Sequence, residues 1–71
     1  MNMVKIIDSV VCPEWVGEDV EIMLPSNVYG CRIGSHVRVG PFVEIQRGAC
    51  IGSFVKIGSH SFICAGVKIG D

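Results

Sequence analysis

The chain has 71 residues, six of them basic and seven acidic, and a formal net charge of −1. The length allows one domain at most, and the charge argues against a nucleic-acid partner, which needs a clustered basic surface. No apolar run approaches the roughly 18 residues of a membrane span and no secretory leader pattern opens the chain, so we expect a cytoplasmic protein without a membrane partner.

The first 30 residues read as irregular first coils of a strand-rich structure. Residues 1–11 contain the strings VKII and VV around Asp8 and Ser9, which predicts a strand, a turn and a second strand. Pro13 cannot donate a hydrogen bond in a strand ladder, so it marks a bend or an edge. The string VGEDVEI then resumes an alternation of inner and outward residues.

The pattern loses one residue before it becomes regular. Two aliphatic positions of the same series, Ile22 and Ile33, are 11 residues apart instead of 12. We therefore expect one shortened corner in the intervening string MLPSNVYGC, which contains a Pro and a Gly. Either Asn27 or Val28 then takes the inward position.

From residue 31 to residue 71 the chain is a regular six-residue repeat. One outward residue separates the two inner residues of each repeat, which is the side-chain alternation of a strand. Gly and short polar residues follow, and they turn the chain at low cost. A spacing of six would scatter apolar side chains over every face of a helix, so the repeat excludes an amphipathic helix. The aliphatic position of the repeat is occupied by Ile33, Val39, Ile45, Ile51, Ile57, Ile63 and Ile69.

Three repeats close a triangular coil of 18 residues, so each residue stacks on the residue 18 positions later, as Ile33 stacks on Ile51. A single coil cannot bury its apolar face alone, and stacked neighbours supply the core. The sequence thus predicts an all-β fold, a single-stranded parallel β-helix of three to four triangular coils. Residues 1–71 form one domain, with irregular first coils over 1–30 and regular hexapeptide repeats over 31–71.

Four cysteines occupy unrelated places in this pattern. Cys31 is an inner residue, whereas Cys50 points outward. Cys64 lies at a corner, and Cys12 lies outside the clear repeat. Their directions do not converge, and a domain with this core does not need disulfide bonds, so we predict four free thiols.

His60 is the side chain best suited to chemistry. It occupies an outward corner in the string SHS, one coil above Phe42, while Glu44 lies on the next face below Phe62. If these side chains meet along one edge of the coil, a histidine beside a carboxylate and two aromatic rings forms an acid–base or substrate-contact site. An exposed corner histidine without such a role fits the sequence equally well.

His36 is the second histidine, and we favour a structural role for it. It occupies the matching corner on a different edge, where it stacks on Phe54. A zinc site needs three or four ligands, and the chain has two histidines on different edges. We therefore expect no metal site within one chain. The sequence also lacks the nucleophile-elbow, zinc-protease, phosphate-loop and dinucleotide-binding motifs.

Part of the repeat resembles a known family, the hexapeptide-repeat acyltransferases, and more narrowly the sugar-nucleotide N-acetyltransferases. The matching strings, over about residues 27–71, are NVYGCRIG, VGPFVEIQRGACIG and VKIGSHSFICAGVKIGD. The resemblance implies a left-handed β-helix and acetyl-CoA as cosubstrate. It also implies transfer of an acetyl group to an amino (or hydroxyl) group of a nucleotide-linked sugar, by a homotrimer whose active sites lie between adjacent subunits.

The same resemblance suggests roles for individual residues. It places His60 beside the acceptor amine, where it would orient or deprotonate that amine. It assigns no residue that binds acetyl-CoA. The residues that it places around the sugar nucleotide are Phe42, Glu44, Gln46 and Ser59.

Two other functions are open on the sequence. The chain ends about where the family continues with further coils. The alternative to an acetyltransferase that acts as part of a longer chain is therefore a non-catalytic β-helical fragment that only oligomerises. A γ-type carbonic anhydrase, which has the same fold, is disfavoured because the chain has only two histidines.

Overall fold

The computed structural model describes residues 10–70, which form strands and corners with no helix. The predicted all-β architecture is confirmed for this range, and it contains no helix long and apolar enough to cross a membrane. The strand and turn expected over residues 1–9 lie outside the described residues. Within residues 10–70 the strands are β1 (Val10–Cys12), β2 (Trp15–Val16), β3 (Glu21–Ile22), β4 (Asn27–Tyr29), β5 (Arg32–Ile33), β6 (Arg38–Val39), β7 (Glu44–Ile45), β8 (Cys50–Ile51), β9 (Lys56–Ile57), β10 (Phe62–Ile63) and β11 (Lys68–Ile69).

The strands form three parallel sheets, which are the three sides of a triangular coil. Sheet A contains β1, β4, β7 and β10, sheet B contains β2, β5, β8 and β11, and sheet C contains β3, β6 and β9. Each strand pairs with the strand three places later in the chain, as the stacking of successive coils requires. The structure is thus a β-solenoid of about four turns, in agreement with the predicted three to four coils.

The predicted register is confirmed in the regular part of the solenoid. Ile33 pairs with Ile51, and Ile51 pairs with Ile69. In the earlier coils the paired residues are one position closer in sequence, since Val16 pairs with Ile33. Backbone amides bond from coil to coil, as the Gly34 amide does to the Ile51 carbonyl oxygen at 2.8 Å.

The shortened corner lies directly after β4, at Gly30. Val28 is fully buried and pairs with Ile45, so Val28 and not Asn27 takes the inward position. Gly30 adopts a φ of +60°. A Cβ at this position would lie 2.8 Å from Cγ of Arg47, which is the additional residue in the corner of the next coil. A glycine in the left-handed region therefore lets this corner turn with one residue fewer than the next coil uses.

The core consists of stacked aliphatic columns inside the coil. The middle coils bury these side chains almost completely, whereas the last described coil leaves them partly exposed. Cys31 belongs to this core, and loss of solvation raises the pKa of its thiol. All four cysteines are free, as predicted. The buried residues are Val28, Cys31, Ile33, Val37, Val39, Val43, Ile45, Ala49, Ile51 and Ile57.

Replacing Val37 with Ala is expected to lower the free energy of unfolding by about 2 kcal/mol, because it removes buried methyl groups and leaves a cavity. Val37 is fully buried, whereas Val67, at the same repeat position of the last described coil, is 40% exposed. The matched change Val67→Ala should therefore cost less than half as much. Urea unfolding followed by circular dichroism measures both values. Equal losses would contradict the difference in packing between the two coils.

Candidate functional site

The outer face of sheet A lies between two corners that carry polar and aromatic side chains. Its outward column contains Asn27, Glu44 and Phe62, which are neighbours on successive strands. The chain enters this face through the corner that holds Phe42 and His60, and it leaves through a corner at the other end of the strands. Most of the residues singled out from the sequence therefore belong to one face of the solenoid.

His60 stacks on Phe42, as predicted. The ring centroids are 5.1 Å apart, and the ring planes differ by 11°. Both side chains are exposed, and within residues 10–70 neither ring nitrogen of His60 has a hydrogen-bond partner. The imidazole is thus supported on one side and open to an incoming group at its edge.

The backbone at this corner is in the left-handed region, with φ of +59° at Phe42 and +64° at His60. Such angles are uncommon for residues other than Gly. The same conformation occurs at Asp19, His36 and Phe54. It is therefore a property of the corner geometry, and it does not single out His60 as a functional residue.

Ser59 precedes His60 and is also exposed. The backbone nitrogen of Ser59 lies close to Gly40 in the coil below. A Cβ added at Gly40 would be 2.9 Å from this nitrogen. Its hydroxyl has no partner within the described range 10–70. The substrate contact suggested for Ser59 by the resemblance stays a prediction.

The Glu44 carboxylate lies in the middle of the face, and both of its hydrogen-bond donors come from the end away from His60. Its Oε2 accepts a hydrogen bond from the Tyr29 hydroxyl (3.1 Å) and another from Gln46 Nε2 (3.0 Å). Gln46 Oε1 in turn accepts a hydrogen bond from the backbone amide of Ala65 (3.1 Å). Phe42 and His60 of the expected cluster stack on each other, whereas the hydrogen bonds of the Glu44 carboxylate go to Tyr29 and Gln46.

Tyr29 is a member of this site that the sequence did not identify. Loss of water around its hydroxyl, followed by the hydrogen bond to Glu44 and the charge of Glu44, raises the pKa of Tyr29. The residue lies beside the shortened corner, where the sequence left the register undetermined. Placing Val28 inward would have stacked Tyr29 directly beneath Gln46, and this was the signal that could have revealed it.

His36 belongs to a charged network at a third corner of the coil. Its Nδ1 lies 3.0 Å from Asp19 Oδ2, and its ring stacks on Phe54 with the centroids 4.8 Å apart. Arg38 donates hydrogen bonds to both carboxylate oxygens of Asp19 at 3.1 Å, and its Nε lies 3.0 Å from Glu21 Oε1. These contacts join two successive coils, which is the kind of structural role expected for His36.

Replacing Asp19 with Asn is expected to make folding less sensitive to acid. The hydrogen bond from His36, the hydrogen bond from Arg38 and the charge of Arg38 hold the pKa of Asp19 below its usual value of 3.8. A carboxyl whose pKa is lower in the folded chain stabilises that chain above its unfolded-state pKa. This contribution is lost as the pH falls through about 4 towards the folded-state value.

Urea unfolding between about pH 7 and about pH 2 measures this effect. The wild type should be the more stable chain at neutral pH, and its advantage over Asp19→Asn should disappear in the acid range. The matched control is Glu18→Gln, at a neighbouring exposed residue. Its stability should fall in acid as that of the wild type does. If Asp19→Asn lost as much stability in acid as the wild type, the network would not stabilise the fold.

The charged groups outside sheet A do not form an obvious ligand site. On sheet C, Arg38 stacks on Lys56, as the 18-residue spacing requires, but it forms an ion pair with Glu21. On sheet B, Arg32 forms an ion pair with Glu14 at 2.9 Å. A phosphate on either face has to compete with these carboxylates. Among residues 10–70, no group of three or more His, Cys, Asp or Glu side chains is placed to hold a metal ion.

Two curated proteins are similar to this chain. Both are called bifunctional protein GlmU, from two strains of Acidithiobacillus ferrooxidans, and each is 42% identical to it over 55 residues. The matched segment is 78% of this chain and 12% of the relative, so the chain spans about an eighth of the length of these relatives. No family model matches the chain, and no solved structure matches it significantly. The similarity therefore concerns a small part of each relative.

Proposed function

This chain belongs to the hexapeptide-repeat acetyltransferase family, and we propose that it acts as part of a longer acetyltransferase. The proposed reaction moves an acetyl group from acetyl-CoA to an amino (or hydroxyl) group of a nucleotide-linked sugar. The solenoid fold and the 42% identity to GlmU proteins over 55 residues support this assignment. The nucleotide-linked sugar is the acceptor that the sequence resemblance implies.

His60 is the residue that we assign to proton transfer. A neutral amine attacks the carbonyl carbon of the thioester, the C–S bond breaks, and the coenzyme leaves as a thiolate. His60 accepts the proton that the amine loses and can pass it to the thiolate. The observation that carries this role is the open edge of its imidazole: within residues 10–70 neither nitrogen is hydrogen-bonded, whereas His36 Nδ1 is engaged by Asp19.

The acceptor is proposed to lie along the outer face of sheet A. Phe42 and Ser59 lie near His60 at one end of the face, and Glu44 and Gln46 lie towards the other. Fully extended, the four steps from Phe42 to Gln46 span at most about 14 Å. A face of this length suits a sugar nucleotide better than a small amine, and holding both reactants on it supplies much of the rate.

We also propose that the active unit is a cytoplasmic homotrimer in which a second subunit completes each site. His60 is exposed and lies outside the shallow grooves on sheets B and C. Phe42 and Phe62 are 56% and 58% exposed, so their rings are available to a partner surface. A neighbouring subunit at this corner would supply the second wall that His60 needs to hold acetyl-CoA and acceptor in line.

The alternative is a β-helical module that oligomerises without catalysis, and the surface position of His60 favours it. Titration calorimetry with acetyl-CoA separates the two functions, with CoA lacking the acetyl group as the matched control. The acetyltransferase proposal predicts a saturable heat of binding. Only the heat of dilution, at the highest attainable protein concentration, would favour the inert module.

A further inference from the structure

We propose that this chain associates end to end, with the last described coil of one copy stacked on the first described coil of a second copy. The last coil is residues 54–70, and the first coil is residues 10–26. The contact joins two different surfaces of the chain, so it can repeat, and each copy lengthens the solenoid by about four coils. The association goes beyond acetyl transfer and does not require it.

The two ends of the solenoid have strands that are paired on one side only. Within residues 10–70, β1, β2 and β3 pair only with the coil after them, and β9, β10 and β11 pair only with the coil before them. Such an edge is a template for a strand of another chain. In a head-to-tail stack, β10 pairs with β1 of the second copy, β11 with β2 and β9 with β3. The order of all three sheets then continues without a change of direction.

Both ends also expose inner positions of the coil. Val11 and Val16 are the strand partners of the fully buried Val28 and Ile33, yet they are 43% and 44% exposed. At the other end, Val67 is 40% exposed. A coil buries its inner side chains only against a neighbouring coil. Stacking of the first coil on the last therefore removes apolar surface of both copies from water.

The charges of the two ends are opposite. Residues 10–26 contain four acidic residues and no Lys or Arg, whereas residues 54–70 contain two lysines and no acidic residue. Neither Lys56 nor Lys68 forms an ion pair within the described part of the chain. Two last coils would repel each other, so the charges favour contact between a last coil and a first coil.

The columns of the sheets show which charges meet. Lys56 lies in the outward column of Glu21, so the stack places it beside Glu21 of the second copy. Lys68 lies in the column of Arg32, which binds Glu14 of the preceding coil at 2.9 Å. In the stack, Lys68 approaches the Glu14 carboxylate of the second copy from the other side. Because these groups are exposed to solvent, salt should weaken the contact.

Two exposed cysteines report directly on this contact. Cys12 and Cys64 are the first and last members of one outward column, with Tyr29 and Gln46 between them. Within one chain they are separated by three coil spacings, about 14 Å, which is too far for a disulfide bond. In the stack, Cys64 lies beside Cys12 of the second copy at the spacing of paired strands, about 4.8 Å. A disulfide bond between them therefore joins two chains that are stacked head to tail.

The contact is expected to be weak, so covalent trapping at high protein concentration is the suitable measurement. The solenoid is 21 by 17 Å across, and two such ends bury less than the roughly 1,200 Å² of total surface that stable complexes bury. Oxidation with a copper–phenanthroline catalyst, non-reducing electrophoresis and peptide mass spectrometry should show a ladder of multimers joined by Cys12–Cys64 bonds. Cys12→Ser and Cys64→Ser should each abolish the ladder. The matched control Cys50→Ser, at an outward position of sheet B, should retain it.

The pairing of the cysteines decides the outcome. Random collisions would give Cys12–Cys12 and Cys64–Cys64 bonds as often as mixed ones, so such a mixture would overturn the proposal. Absence of linked chains from folded wild-type protein would overturn it as well.

Exchange of charges tests the orientation independently. Lys56→Glu should lower the yield of linked chains at least about fivefold, because it places two carboxylates side by side at the junction. A mixture of Lys56→Glu with Glu21→Lys should recover the yield, as dimers that contain one copy of each variant. A yield that neither Lys56→Glu nor about 1 M salt lowers would contradict the head-to-tail arrangement.

Discussion

Acetyl transfer is expected to fall by about 10²- to 10⁴-fold when His60 is replaced with Ala, because general acid–base catalysis by a placed side chain contributes about this much. The variant loses the imidazole that is proposed to accept the proton of the attacking amine. The acceptor contacts proposed for Glu44 and Gln46 stay in place, so kcat should fall more than the affinity for the acceptor. The assay should follow labelled acetyl groups, since exposed Cys12 and Cys64 would react with the thiol reagents that detect free CoA.

His36→Ala is the matched control for this experiment. Both histidines lie at corners with φ near +60°, at +59° for His36 and +64° for His60, and each stacks on a phenylalanine ring. The backbone cost of the substitution is therefore similar in the two variants. His36→Ala should lose stability through the contact with Asp19 while retaining most of the transfer rate. An equal loss of rate in both variants, or no loss in His60→Ala, would refute the assignment of His60.

Gly34→Ala is expected to destabilise the fold by at least about 3 kcal/mol, since it forces a methyl group against the backbone of the next coil. A Cβ at Gly34 would lie 2.8 Å from both the Gly52 carbonyl carbon and the Ser53 nitrogen. Neither atom belongs to a flexible side chain that can move away. The coils would have to separate at this corner, which weakens the bond from the Gly34 amide to Ile51.

Gly58→Ala is the matched control, because a Cβ at Gly58 would meet nothing within 4 Å. Its stability should equal that of the wild type or exceed it by about 0.4 to 1 kcal/mol, since Ala restricts the unfolded chain more than Gly does. Urea unfolding of the two variants measures the difference. Similar midpoints for both would contradict the close approach of the coils at Gly34.

The sequence was sufficient to predict the solenoid because its period of six determines which backbone positions face inward. The column of Ile33, Ile51 and Ile69 follows from that period alone, and the paired strands confirm it. The stacking of Phe42 under His60 follows in the same way, since a corner residue lies over the corner residue of the previous coil. Burial enforces these positions, because a shift of one residue would turn the aliphatic side chains outward.

The side-chain partners on the outer face could not be predicted from the same period. An outward carboxylate such as Glu44 has several hydrogen-bond donors within reach. Which of them it binds depends on side-chain rotamers, and the repeat spacing does not determine those. The partner it takes, Tyr29, lies beside the shortened corner at Gly30, where the spacing is irregular. Asp19, the partner of His36, likewise lies in the irregular part of the chain.

The central claim is that the Phe42–His60 corner and the outer face of sheet A form an acetyl-transfer surface. Mass spectrometry of a uridine-diphosphate-linked amino sugar, incubated with the chain and acetyl-CoA, tests it most directly. The account predicts a product that has gained one acetyl group on its amine in the wild type, and little or none in His60→Ala. No acetylated sugar from a wild-type chain that calorimetry shows to be saturated with acetyl-CoA would contradict it.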